Sequence, residues 1–63
     1  MEKQIIYRDY VDNWFCWWSY NDRGKKEFMG VRAATLLVWQ GKAVLVNTPK
    51  AKARMREIYR VKG

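Results

Sequence analysis

The stretch WFCWWSYNDRGKKEFMGVR (residues 14–32) reads as a β-hairpin, and its register sorts most of the large side chains in the chain. Its first seven residues, Trp14 to Tyr20, include five aromatics, a composition that suits a strand. Asn21-Asp22-Arg23-Gly24-Lys25 then fits a type I turn closed by a glycine in the left-handed region, the three-residue loop with a bulge. With Asp22, Arg23 and Gly24 in the loop, the facing pairs are Tyr20 with Lys26, Ser19 with Glu27, Trp18 with Phe28, Trp17 with Met29, Cys16 with Gly30, Phe15 with Val31 and Trp14 with Arg32. The returning strand runs from Lys26 through Arg32.

Side chains alternate between the faces of a strand. One face of the hairpin therefore collects Phe15, Trp17, Met29 and Val31, an apolar set that needs burial. The other collects Trp14, Trp18, Tyr20 and Phe28 with Lys26 and Arg32, so aromatics and cations interleave there.

Outward from the hairpin, Gln4 to Tyr10 is rich in β-branched and aromatic residues and reads as a first strand. Asp12-Asn13 forms the turn after it, since both residues tolerate left-handed conformations. Two readings compete for residues 31–40. Either Gln40-Gly41 turns a hairpin between two buried strands, or a helix runs from Val31 to Gln40 with Gly41 as its left-handed cap. Ala33-Ala34 and Leu36-Leu37 favour the helix, whereas Thr35, Val38 and Trp39 favour the strand. The hairpin is preferred, and Ala43 to Val46 is a buried strand on both readings.

Thr48-Pro49 is a helix start, because Thr caps free amides and Pro is preorganised for the first turn. Beyond it Ala51, Met55, Ile58 and Tyr59 share one helical face, and Lys52, Arg56 and Arg60 form a ridge beside them. The expected fold is α+β: a small antiparallel sheet of about four strands in two hairpins, with one basic C-terminal helix packed on one face. The sheet spans residues 4–47 and the helix residues 49–60, in a single domain covering 1–63.

A chain of 63 residues has room for one small core and buries only about 60% of the surface its unfolded form exposes. With 49% hydrophobic and 16% aromatic residues it is too apolar for a disordered segment. It has no apolar run long enough to span a membrane and no signal-peptide core at its start, so a cytoplasmic location is expected. Cys16 is the only cysteine and there is no histidine, which leaves almost no ligands for zinc and no internal disulfide. Flanked by Phe15 and Trp17, Cys16 reads as a small packed side chain.

The 13 Lys and Arg outnumber the 6 Asp and Glu, giving +7, and the excess is concentrated at the C-terminal end. From Thr48 to Gly63 stand Lys50, Lys52, Arg54, Arg56, Arg60 and Lys62, against Glu57 alone. That distribution suits a polyanion or an acidic protein partner.

Catalysis finds little support, because no histidine is present for acid–base work near neutrality and Asp12 reads as a turn residue. No catalytic residue, cofactor or metal is expected. Single-stranded nucleic acid is gripped by rings that stack bases, at roughly 1–3 kcal/mol each, set beside cations that follow the phosphates. Trp14, Trp18, Tyr20, Lys26, Phe28 and Arg32 have that composition, and Lys52, Arg56 and Arg60 would add phosphate contacts. A basic nucleic-acid-binding module is thus the first expectation, with Trp14 and Trp18 as core under the helix the structural alternative.

The second expectation is a protein partner, since Trp, Tyr and Arg dominate interface hot spots. A compact inhibitor or accessory factor of the kind encoded by phages and mobile elements, docking on an acidic host protein, fits that description. A homodimer through the unsatisfied sheet face is a related form of it. The hairpin Trp14 to Gly30 is similar to hairpins in the small DNA-binding domains at the start of tyrosine recombinases; no functional residue is carried over from that likeness.

Overall fold

The computed structural model describes residues 3–62, with side chains as far as Tyr59. Strands β1 (Gln4–Val11), β2 (Trp14–Tyr20) and β3 (Lys26–Met29) are followed by helix α1 (Val31–Trp39), strand β4 (Ala43–Asn47) and helix α2 (Pro49–Lys62). The four strands make one sheet in the order β3-β2-β1-β4.

The first three strands form an antiparallel meander. Asp12 and Asn13 both take positive φ, 52° and 69°, and Val11 faces Trp14, so the β1–β2 link is a two-residue turn of the kind that matches strand twist. In the next loop the Asn21 side-chain oxygen accepts from the Arg23 and Lys25 amides at 2.9 and 3.0 Å, and Gly24 takes φ 75°. The expected register holds from Tyr20 opposite Lys26 to Trp17 opposite Met29.

It stops there. The expected pairs of Cys16 with Gly30, Phe15 with Val31 and Trp14 with Arg32 do not form, because the chain leaves the sheet at extended Gly30 and enters α1. The preferred hairpin over residues 31–47 is therefore incorrect, and the helix reading describes the chain. Its end is a Schellman motif: Lys42 N–H bonds Leu37 C=O at 2.9 Å and Gly41 N–H bonds Val38 C=O at 3.0 Å, with Gly41 at φ 76° as such a cap requires. The Ala and Leu pairs outweigh the β-branched residues because α1 also delivers β4 to the far edge. There β4 lies parallel to β1, from Gln4 opposite Ala43 to Arg8 opposite Asn47. Parallel neighbours need such a crossover, so the sheet is mixed, a three-stranded meander with a parallel fourth strand in place of the two separate hairpins expected.

Both helices pack on the same face. Ile6, Ala34 and Ala43 form the buried cluster, with Trp17, Met29, Leu37, Val38 and Leu45 packed around it. Next to it the Arg8 guanidinium joins three elements, donating to Asn47 Oδ1 at 2.6 Å and to the Met55 sulfur at 3.2 Å. Arg54 sits over the Tyr10 ring at 5.5 Å. Ala51 is buried as the helical spacing predicts, and Met55 and Ile58 are half-buried, but Tyr59 is exposed. On β4 only Ala43 is buried; Val44 and Val46 are exposed, which corrects the expectation that Ala43 to Val46 is a buried strand. No helix among the described residues is long and apolar enough to cross a membrane.

Candidate binding face of the sheet

Strand alternation and the register place Ile5, Tyr7, Asp9 and Val11 of β1, Trp14, Cys16, Trp18 and Tyr20 of β2, Lys26 and Phe28 of β3, and Val44 and Val46 of β4 on the face away from both helices. Among these strand residues Asp9 and Lys26 are the charged ones.

Trp18 is its centre. Tyr7 stacks on it with centroids 4.6 Å apart, Tyr20 meets it edge-on at 5.3 Å, and the Lys26 ammonium lies 4.4 Å from its centroid. These neighbours leave Trp18 only 6% exposed although no helix covers it. Around this knot Trp14 (76%), Phe28 (67%) and Tyr20 (53%) are open to solvent, as are Ile5, Val11, Val44 and Val46. The solvent-open part of the face divides accordingly: Trp14, Tyr20, Phe28 and Lys26 on β2 and β3, and Ile5, Val11, Val44 and Val46 on the β1–β4 half.

Asp9 anchors the knot to the rest of the fold. Its carboxylate accepts from Trp18 Nε1 at 3.3 Å, from the Thr48 hydroxyl at 2.8 Å and from the Tyr10 amide at 2.8 Å. Thr48 in turn accepts the Ala51 amide at 3.3 Å as the cap of α2. Partial burial raises the Asp9 pKa, but the bonds from Thr48, Tyr10 and Trp18 and the charge of Lys50 together outweigh it and hold the carboxyl below its ordinary value. A folded-state pKa below the unfolded one contributes stability above the unfolded value, and that contribution is lost as pH falls through the folded value. Stability to urea is therefore expected to decline as pH drops below about 4, and Asp9→Asn to flatten that part of the profile; an unchanged profile in the variant would remove Asp9 from this role. Cys16 lies half-buried between Trp14 and Trp18, and burial, with the Asp9 charge, pushes its thiol up against a smaller opposing effect of Lys26. A raised thiol pKa is the opposite of an activated nucleophile.

Of the expected site residues, Trp14, Trp18, Tyr20, Lys26 and Phe28 share this face. Trp18 is structural there, and the other three rings are open. Arg32 does not join them, because it belongs to α1, beside the exposed Val31, Leu36 and Trp39. Lys52 and Arg56 are exposed on α2, which packs through Met55 and Ile58 against the opposite side of the sheet. Arg60 lies in α2 with its side chain outside the described residues.

Tyr7, Ile5, Val44 and Val46 were not among the expected site residues. The Asp12-Asn13 turn carried the signal for Tyr7, since a two-residue loop fixes Tyr7 opposite Trp18. Alternation about Leu45 carried it for the two valines. No protein-family model, curated protein or solved structure matches the chain.

Proposed function

We propose that this chain is a non-enzymatic binding module that docks on a protein partner through the helix-free face of its sheet. The observation that carries the proposal is the character of that face: exposed Trp14, Phe28, Tyr20, Ile5, Val44 and Val46 around a single strand-borne cation, Lys26, whose ammonium already sits over Trp18. Exposed rings and aliphatic side chains in one contiguous surface are what protein interfaces bury. Base stacking makes no use of the aliphatic half, and the cations Arg32, Lys52 and Arg56 that would follow a phosphate backbone stand on the helices. The net charge of +7 favours an acidic partner and speeds its encounter. The absence of histidine from the sequence and the full engagement of Asp9 support a non-catalytic role.

Two paired variants test the proposal. Trp14→Ala/Phe28→Ala is expected to abolish stoichiometric capture of a protein from nuclease-treated lysate while the far-ultraviolet circular dichroism stays unchanged. Lys52→Ala/Arg56→Ala is expected to leave capture intact. Equal capture by the ring variant would refute the reading.

Nucleic acid is the second reading, favoured by the position of Lys26 among three open rings. It predicts binding to single-stranded oligonucleotides by fluorescence anisotropy that weakens steeply with salt. Salt-sensitive oligonucleotide binding lost in the ring variant would place it ahead of the protein reading.

A further inference from the structure

The two edges of the sheet differ in how they are protected. The β3 edge is four residues long and begins with Lys26-Glu27, the short, charged form that discourages strand pairing. The β4 edge, Ala-Val-Leu-Val-Asn, has no charge and no proline. Its pairing with β1 fixes which groups are free. Gln4 N–H bonds Lys42 C=O and Thr48 N–H bonds Arg8 C=O. The parallel ladder between them therefore uses Val44 and Val46 and turns the N–H and C=O of Ala43, Leu45 and Asn47 away from β1. Ala43 is buried in the core cluster, whereas Leu45 and Asn47 are half-buried. The accessible strip is thus Leu45 to Asn47, with the exposed Val44 and Val46 beside it on the helix-free face.

Charge marks what would pair there. Between Glu27 and Glu57 the sequence contains no acid, and the exposed Lys42 and Lys50 stand just before and just after β4. A second copy would bring the same Lys42 and Lys50 to the contact, and the carboxylate beside the end of the strand, Asp9, is already engaged by Thr48, Tyr10 and Trp18. We propose that the outer edge of β4 takes up an extended, acidic segment of a protein partner as a fifth strand. The added strand bonds the free amides and carbonyls of Leu45 and Asn47, lays apolar side chains against Val44 and Val46, and sets carboxylates near Lys42 and Lys50. This is strand addition, in which backbone bonds give affinity and alternate side chains give specificity. It rests on the protein-partner reading above and names the kind of segment that partner supplies.

The test uses the full chain labelled with ¹⁵N and a synthetic peptide, Glu-Glu-Val-Thr-Val-Thr-Val-Glu-Glu, with a lysine-flanked analogue as control. The acidic peptide is expected to shift and protect the Leu45 and Asn47 amides, and to bind about tenfold more tightly than the analogue, as two or more exposed ion pairs allow. Lys42→Glu/Lys50→Glu is expected to invert that preference, and N-methylation of the peptide at its central residues to abolish binding. Shifts confined to Trp14 and Phe28, equal binding of the two peptides, or protection of Leu45 and Asn47 by self-association without peptide would each overturn the inference. Trp14→Ala/Phe28→Ala separates the two proposals. If that variant loses partner capture while no peptide pairs with β4, the edge inference alone fails; if it keeps capture and the peptide still pairs, the helix-free-face reading alone fails.

Discussion

Ile6→Ala is expected to leave the chain unfolded at 25 °C. Ile6 has no exposed surface and lies on β1, one of the two strands flanked on both sides within the sheet. It faces Leu45 across the β1–β4 pairing and packs with Ala34 and Ala43. Two of the three residues at the centre of this core are alanines, so Ile6 supplies most of its side-chain volume. Truncating a buried isoleucine costs about 2–5 kcal/mol, and a core in a chain this short rarely supplies more than about 3–5 kcal/mol in total. The loss is comparable to the whole. Ile6→Val, which removes one methylene, costs about 0.5–1.5 kcal/mol and is expected to fold with a lowered urea midpoint. Urea titrations followed by circular dichroism check both, and a wild-type midpoint for Ile6→Ala would show that the stabilising core lies elsewhere.

Trp18→Ala is expected to be nearly as damaging, and Trp14→Ala almost silent, although the two tryptophans stand on one strand and point to one face. Trp18 loses a stacked tyrosine, an edge-on tyrosine, a cation over its ring and the bond to Asp9. Removing a buried tryptophan costs about 3–5 kcal/mol. Trp14, 76% exposed, lies outside that knot, and exposed substitutions usually change stability by no more than about 0.5 kcal/mol. Trp18→Phe keeps the stack and loses the bond to Asp9, so an intermediate midpoint is expected. Equal midpoints for Trp14→Ala and Trp18→Ala would contradict the division between a structural centre and a free rim.

The hairpin was legible because a turn sequence fixes register locally: Asn21 to Lys25 gave four strand pairs correctly, and Thr48-Pro49 gave the start of α2. Register carries no notice of where a strand ends. Gly30, an extended residue before a helix, looks no different in sequence from a strand glycine, so Val31 and Arg32 were assigned to a strand they never join. The choice between strand and helix for residues 31–40 turned on long-range pairing. Local propensity was balanced there, and the partner of β4 proved to be β1, at the opposite end of the sequence. Misplacing that one segment moved Arg32 from the aromatic face to a helix. It also concealed that both helices share one side, which is what leaves Trp14, Tyr20 and Phe28 open together.

The parallel pairing of β1 with β4 also sets an order of events during folding. The meander joins strands that follow one another through short turns, and such hairpins close in about 1–10 μs. The outer flank of β1 instead waits for β4, which is distant in sequence and reaches it only after α1, and such non-local pairing is intrinsically slow. The folding chain therefore passes through a three-stranded ribbon with Ile5 and Ile6 on an open edge and an unshielded apolar side. Aggregation during refolding is expected to centre on β1, and to end when β4 closes that edge.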